Sequence, residues 1–210
     1  PAPASFVNST MGIIMAECSD AVSGIDPDSL SLLVDSADLG AIFDSSCGCV
    51  LCPFAGLADG QHSVSLQISD NAGNTATASW SFTVDTTPPQ INYTYAVPKN
   101  NSAVYGQQFL IACNYSDDNG IALSSLSLIV DGTEYVANAT ATPSGISLNL
   151  SLLVGMHAVI LTVSDMAGNV AEASWAFTVS YDLVPLAIMA AVMAIVVIGS
   201  VVAVKRRRHP

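Results

Sequence analysis

Acidic side chains in turn-like sequences are the first candidates for chemistry in this chain. Asp70 and Asp165 each begin the sequence Asp-x-Ala-Gly-Asn, in which Asp can bond to its own backbone and Gly and Asn tolerate left-handed conformations. Asp85 precedes a Pro-Pro pair, and Asp117 and Asp118 open another polar stretch. Calcium takes roughly six to eight oxygen ligands of this kind. Because no EF-hand spacing is present, ordinary turn chemistry is the preferred interpretation and structural calcium is the alternative.

Cysteines form a second candidate group. Four of the five precede residue 86 and are disulfide candidates if the chain lies outside the cell: Cys18, Cys47, Cys49 and Cys52. The sequence does not choose among their pairings, and we predict a staple between the Cys18 strand and the hairpin that holds the other three. Four thiolates could instead hold zinc, but an oxidising compartment favours disulfides. Cys113 lies in an apolar segment and is expected to be a buried thiol.

Two histidines occur at equivalent places in the chain and suggest a structural role. His62 and His157 each follow a Gly-x dipeptide and precede an apolar alternation. Neither has a Cys or His nearby at ligand spacing, and no nucleophile elbow, His-Glu-x-x-His or phosphate loop is present. The sequence therefore predicts no catalytic residue and no cofactor-binding residue, and the protein is expected not to be an enzyme.

An internal repeat supplies the elements that must position these residues. Residues 60–84 match residues 155–179 at a constant offset of 95 with 16 of 25 positions identical, which marks two copies of one unit. Residues 24–35 match residues 120–131 at an offset of 96. Two prolines between the copies cannot continue a β ladder, so we place the boundary near residue 86.

Each copy has the pattern of half-buried strands. Val64, Leu66 and Ile68 alternate with polar residues, and Trp80, Phe82 and Val84 alternate likewise; both patterns recur in the second copy. Period two with β-branched and aromatic residues indicates strands, and several short strands with turn signals favour a two-sheet antiparallel sandwich. The predicted domains are residues 1–85 and 90–180, joined by a proline linker over residues 86–89.

The repeated pattern resembles a known family of domains. Ser-Gly-Ile-Asp, Leu-x-Leu-x-Val-Asp, Gly-x-His-x-Val-x-Leu, Ser-Asp-x-Ala-Gly-Asn and Trp-x-Phe-x-Val are similar to the Ig-like repeats of bacterial and archaeal surface proteins. The resemblance covers nearly all of residues 11–180 and implies tandem Ig-like β-sandwiches in an adhesin or envelope protein. The first repeat departs from the pattern, because its opening strand is shortened and it carries a cysteine insertion.

A membrane anchor is predicted at the carboxyl end. Residues 183–204 contain no Asp, Glu, Lys, Arg, His, Asn or Gln. A helix of that length is about 33 Å long and matches a hydrocarbon core of roughly 30 Å. The basic cluster that begins the tail, residues 205–210, is expected to stay cytoplasmic, which places residues 1–182 outside. The expected fold is thus all-β, with two tandem Ig-like antiparallel β-sandwiches followed by a single transmembrane α-helix. Small residues four apart in the helix suggest a weak homodimer.

Charge and sequons agree with an exterior location. All 17 acidic residues lie in residues 1–182, and Lys99 is the one Lys or Arg in that region. Residues 1–182 therefore carry a net charge of about −16, which makes them unsuited to binding nucleic acid. Six of eleven asparagines begin an Asn-x-Ser/Thr sequon, more than a Ser/Thr-rich composition explains. These glycosylation candidates are Asn8, Asn92, Asn100, Asn114, Asn138 and Asn149.

The sequence therefore predicts a non-enzymatic stalk or adhesion module at a prokaryotic cell surface, anchored by one helix. Its expected partners are the membrane and a protein or glycan ligand at the cell surface. The alternative is the spacer and anchor of a larger ecto-enzyme or receptor whose active domain lies upstream of residue 1, which we take as a mature or truncated start. Upstream sequence would discriminate the two, since further repeats favour an adhesin and a catalytic motif favours an enzyme. A six-residue tail disfavours a self-contained signalling receptor.

Overall fold

The computed structural model describes residues 1–181, which form seventeen β-strands and two 3₁₀ turns, Leu123–Ser125 and Val136–Asn138. No helix within residues 1–181 is long and apolar enough to cross a bilayer. The predicted membrane helix over residues 183–204 and the tail over residues 205–210 lie outside the described residues. The all-β prediction is confirmed for the described part of the chain.

The first eight strands build a two-sheet sandwich, here called domain 1. Their bounds are β1 Phe6–Val7, β2 Met11–Glu17, β3 Ile25–Val34, β4 Ala37–Asp38, β5 Ile42–Asp44, β6 Cys49–Ala55, β7 Gly60–Asp70 and β8 Thr75–Val84. One sheet has the order β1-β8-β7-β3-β4, and the other has the order β2-β6-β5.

The remaining strands build a second sandwich of the same plan, domain 2. Their bounds are β9 Gln90–Val97, β10 Ser102–Tyr105, β11 Gln108–Ser116, β12 Ser127–Val130, β13 Thr133–Glu134, β14 Thr140–Thr142, β15 Gly145–Ser151, β16 Gly155–Ser164 and β17 Val170–Ser180. The sheets have the orders β10-β17-β16-β12-β13 and β14-β15-β11-β9. In domain 2, β11 pairs with β15 on one side and with β9 on the other. In domain 1, the corresponding strand β2 pairs with β6 and with no second strand among the described residues.

Side-chain alternation places one apolar core between the two sheets of each domain. Val64, Leu66 and Ile68 on β7 are buried, while Ser65 and Gln67 between them face solvent, as their period of two predicts. Phe82 and Val84 on β8 pack into the same core. Each such aliphatic or aromatic side chain, once fully buried, contributes about 1.5–3 kcal/mol to stability, so these strands hold the sandwich together.

The pairing is antiparallel except for one short pair in each domain. β1 runs parallel to β8, and β10 runs parallel to β17. The sequence pattern predicted an antiparallel sandwich, and these two parallel pairs differ from that prediction. Each short strand precedes a strand of the opposite sheet, β2 or β11, so the chain passes from one sheet to the other at this edge of the sandwich.

Candidate cation site at the domain junction

A buried carboxylate lies directly before the linker. β8 ends at Val84, and the next residue, Asp85, is only 2% exposed. Its backbone N–H donates to the carbonyl oxygen of Val7 at 2.9 Å, which fixes the start of the linker against β1. The Asp85 Oδ1 accepts the N–H of Thr87 at 3.1 Å. The other oxygen, Oδ2, is buried and has no hydrogen-bond donor among the described residues.

The turn between β16 and β17 brings a second carboxylate to the same place. Asp165 is 1% exposed, and its Oδ1 accepts three consecutive backbone N–H groups, the shortest from Gly168 at 2.7 Å. Gly168 has a φ of +91°, in the left-handed region that the Asp-x-Ala-Gly-Asn sequence predicts for this turn. The Asp165 Oδ2 accepts a hydrogen bond from the side-chain amide of Asn169 at 2.8 Å.

A third carboxylate completes the group. Asp117 follows β11, and one carboxylate oxygen each from Asp85, Asp117 and Asp165 lies within 4.8 Å of the other two. The Asp117 Oδ1 accepts the N–H of Asn119 at 2.8 Å. Burial raises the pKa of the Asp117 carboxyl, and the nearby charges of Asp85 and Asp165 raise it further. Three carboxylates this close repel one another, and no Lys or Arg side chain forms a salt bridge with them in the described residues.

The donor set fits a hard divalent cation. All three side chains offer carboxylate oxygen, and no cysteine or histidine belongs to the group. Oxygen donors of this type suit calcium or magnesium rather than zinc, which prefers sulfur and nitrogen. A divalent ion would neutralise most of the local negative charge and would pair with the buried Asp85 Oδ2, whose desolvation otherwise goes uncompensated.

Two of the five predicted acidic residues are not part of this group. Asp118 lies beside Asp117 and affects its pKa, but it is not among the three carboxylates. Asp70 lies in the β7–β8 turn of domain 1, where its oxygens accept hydrogen bonds from Ala72 and Asn74. Asp70 therefore makes the same kind of hydrogen bonds within its turn as Asp165 does, but it does not lie beside Asp85 and Asp117.

Sequence reasoning missed two residues that bear on this site. Asn169 also donates to the backbone oxygen of Asp85 at 2.7 Å, so its side chain joins the β16–β17 turn to the linker. Asp20, which follows β2, occupies the place in domain 1 that Asp117 has in domain 2, and it lines one cavity with Asp70. The Ser-Asp dipeptide that precedes the matched Gly-Ile in both copies, Ser19-Asp20 and Ser116-Asp117, is the signal that could have found Asp20.

The cysteines do not pair as the sequence predicted. Cys47 is bonded to Cys49 across the β5–β6 turn, and Cys18, Cys52 and Cys113 are free thiols. The Cys18 N–H donates to the Gly48 oxygen at 2.8 Å, so the strand and hairpin are adjacent, but the disulfide closes within the hairpin. No cysteine belongs to a metal-ligating group in residues 1–181. Cys113 is buried as predicted, and burial raises the pKa of its thiol to about 11.

The two histidines make identical contacts in the two domains. His62 Nδ1 lies 2.6 Å from Asp35 Oδ2, and His62 Nε2 lies 2.8 Å from the carbonyl oxygen of Ala58. His157 repeats this geometry with Asp131 at 2.6 Å and with the Leu153 carbonyl at 2.7 Å. A carbonyl and an ionised carboxylate only accept, so both contacts are hydrogen bonds when each ring nitrogen carries a hydrogen, which is the imidazolium form, and these contacts help to raise the pKa of both histidines. Both aspartates close the repeated Leu-x-Val-Asp sequence, which was the available signal for these pairs.

All six sequon asparagines are exposed: Asn8, Asn92, Asn100, Asn114, Asn138 and Asn149. Attachment of a glycan requires an exposed asparagine, and all six meet that requirement. Exposure alone does not demonstrate a glycan, so glycosylation at these positions stays a prediction.

Comparison with known proteins identifies the type of domain. Residues 21–86 match the model of the family described as bacterial Ig-like domain. These sandwiches are tandem Ig-like repeats. Domains of the Ig-like and fibronectin(III)-like types generally are non-catalytic modules. A search of curated proteins found no significant match.

One solved structure shows the same fold at low sequence identity, and two others resemble the chain with TM-scores below 0.5. The fibronectin(III)-like modules of CbhA from Clostridium thermocellum are 16% identical, with a TM-score of 0.54, and the match covers 88% of this chain and 93% of that chain. CopC from Methylosinus trichosporium OB3b is 21% identical over 41% of this chain and 90% of its own, with a TM-score of 0.34. Latent PorU from Porphyromonas gingivalis is 18% identical, with a TM-score of 0.40, and covers 84% of this chain and 19% of its own.

Proposed function

We propose that this chain is a cell-surface stalk in which a calcium ion, bound by Asp85, Asp117 and Asp165, fixes one Ig-like domain against the next. The buried Oδ2 of Asp85, which has no hydrogen-bond donor among residues 1–181, carries the proposal, because a bound cation would supply a partner that the hydrogen bonds of the turns do not. Asp85 comes from the end of domain 1, and the other two carboxylates come from loops of domain 2. An ion that all three share therefore restrains the linker.

The stalk function follows from this restraint and from the predicted location. Two Ig-like domains joined by a proline-containing linker hold whatever lies at their outer end away from the surface to which they are attached. The uncharged residues 183–204 and the basic residues after them support anchoring in the cell membrane with residues 1–182 outside. The exposed sequon asparagines support the same side.

Calcium titration of the full chain in lipid nanodiscs tests the ion site. At a free calcium concentration near 100 times the Kd, binding to the folded state adds about 2.7 kcal/mol to the free energy of unfolding. We expect a higher Tm in calcium than in EDTA and slower hydrogen exchange at residues 85–88 and 165–169. Asp117→Asn should abolish both effects, whereas Asp70→Asn, in the corresponding turn of domain 1, should retain them. An unchanged melt and exchange pattern in the parent chain would remove calcium from the proposal.

Protease added to intact cells tests the location separately. Cleavage of residues 1–182 with protection of the tail would support the surface stalk, and protection of the repeats would contradict it, whatever the calcium result.

A further inference from the structure

The outward face of the small sheet in domain 1 is apolar over three strands. Met11, Ile13 and Met15 on β2 are each about 60% exposed, while the residues between them include the fully buried Ile14. Strand register places four more apolar side chains in the same surface: Ala55, Pro53 and Leu51 on β6, and Ile42 on β5. We call these seven residues the apolar face.

The corresponding surface of domain 2 is mixed: the exposed Leu110 and the adjacent Ala112 on β11 pair with polar residues on β15. The positions paired on β11 and β15 that match the outer rows of β2 and β6 are Gln108 with Ser151, Leu110 with Asn149, and Ala112 with Ser147. One of them, Asn149, begins a sequon, and the apolar face contains no sequon. A glycan on Asn149 would lie on this surface of domain 2, whereas none of the seven residues of the apolar face can carry an N-linked glycan.

An uncovered surface of this size is costly for a strand-rich protein. Large side chains that are more than half exposed on neighbouring positions make a patch of roughly a few hundred Å², the size at which exposed apolar surface marks an interaction site.

The chemistry of the face limits what can bind there. It contains no aromatic ring to stack on a sugar and no side-chain hydrogen-bonding group, so it does not suit a glycan. Its charged neighbours are Glu17 and Asp44, which flank Cys49 in the last row of the sheet. Residues 1–85 contain ten acidic residues and no Lys or Arg, so domain 1 of a second copy offers no cation for these carboxylates. The same net negative charge of domain 1 repels an anionic membrane surface.

We infer that the apolar face of domain 1 binds another protein through an apolar patch flanked by Lys or Arg residues. The apolar side chains exclude water at the centre, and the basic residues pair with Glu17 and Asp44 at the rim, in the arrangement typical of protein interfaces. This inference does not depend on calcium or on the stalk.

A peptide library tests this inference. Phage-displayed 12-residue peptides are selected on the full chain in zwitterionic nanodiscs and counter-selected on the triple variant Met11→Gln, Ile13→Thr, Met15→Gln. We expect enriched peptides that combine apolar residues with Lys or Arg, and binding that weakens about tenfold or more in the triple variant. Glu17→Gln with Asp44→Asn should weaken binding and reduce its salt dependence. Leu110→Thr, at the matching position in domain 2, should leave binding unchanged.

Three results would overturn the inference. One is a selection that yields no peptide distinguishing the parent chain from the triple variant. Another is concentration-dependent dimerisation that the triple variant abolishes, which would assign the face to a second copy. The third is binding of the full chain in zwitterionic nanodiscs to added anionic vesicles, if the triple variant loses this binding. That result would assign the apolar face to a lipid surface. An unchanged Tm of the Glu17→Gln, Asp44→Asn variant keeps the test valid if the triple variant does not fold.

Discussion

The side-chain amide of Asn169 lies 2.7 Å from the backbone oxygen of Asp85 and joins the last turn of domain 2 to the end of domain 1. The same amide donates to Asp165 at 2.8 Å, so one side chain contacts both the linker and the candidate cation site. Asn74 occupies the equivalent turn in domain 1 and bonds to Asp70 at 2.7 Å, and its side chain has no other hydrogen bond among the described residues. The two asparagines therefore separate the structural role of the turn from the role of the junction.

Asn169→Ala should destabilise the protein more than Asn74→Ala does. Both variants lose a bond to the aspartate of their turn, and only Asn169→Ala leaves the Asp85 carbonyl without its donor. A hydrogen bond of this kind contributes about 0.5–1.5 kcal/mol, which is the expected difference in the free energy of unfolding. Denaturant unfolding of both variants in EDTA measures it, and hydrogen exchange at residues 85–88 should increase only in Asn169→Ala. Equal losses in the two variants would mean that the linker bond contributes nothing.

Asp117→Asn should stabilise the protein in the absence of divalent cations. Burial and the neighbouring carboxylates raise the pKa of Asp117 above that in the unfolded chain, so its ionised form opposes folding at neutral pH. The stability of the parent chain should accordingly rise as the pH falls toward this raised pKa, and the neutral amide should remove that dependence. We expect an increase in Tm of roughly 2–4 °C at pH 7.5 in EDTA.

Asp20→Asn is the matched control for the direction of this change in Tm. The Asp20 Oδ1 accepts the N–H groups of Val22, Ser23 and Gly24, and these bonds lower the pKa of its carboxyl. The ionised form therefore favours folding, and substitution at the equivalent position in domain 1 should lower the Tm. The same sign of change in both variants would contradict the repulsion inferred at the junction.

The histidine–aspartate pairs should make stability depend on pH above neutrality. Burial lowers the pKa of His62, but its bonds to Asp35 and to the Ala58 carbonyl outweigh burial and raise it above 6.5. The stabilisation is fully present below the unfolded pKa, near 6.5, and is lost as the pH rises through the raised folded pKa. Because His157 behaves in the same way, the free energy of unfolding should fall by about 1–3 kcal/mol between pH 6 and pH 9.

The double variant His62→Gln, His157→Gln tests that dependence. Denaturant unfolding across this pH range should give a nearly flat profile for the variant and a falling one for the parent chain. At the acid end, the bond to His62 lowers the pKa of Asp35, so the parent chain should also lose stability below about pH 4. A parent profile that rises from pH 6 to pH 9 would show that the histidines are neutral.

The period-two patterns and the repeat were sufficient to predict the strands, the turns and the paired architecture. Val64, Leu66 and Ile68 are buried because a strand places alternate residues on one face, and that rule needs no tertiary information. The turn at Asp165 was equally predictable, because Asp, Gly and Asn act through their own backbone.

The grouping of Asp85 with Asp117 and Asp165 depends on how the linker leaves β8, which no local pattern encodes. Residues 32 and 48 positions apart along the chain meet there only because two loops of domain 2 face the end of domain 1. The apolar face was hidden for a related reason. Alternation in β2 is apolar on both sides, so sequence alone does not say which side is the core, and the register of β2 with β6 decides it.

Thiol labelling should distinguish the disulfide of the structure from the predicted staple. At pH 8, iodoacetamide followed by peptide mass spectrometry should modify Cys18 first among the free thiols, because it is only partly buried. Cys52 and Cys113 are buried, and burial raises the pKa of each thiol, to about 11 for Cys113, so both should react mainly after denaturation. Cys47 and Cys49 should become labelled only after reduction. Protection of Cys18 until reduction, together with a free Cys47 or Cys49, would instead establish a bond between the β2 strand and the hairpin.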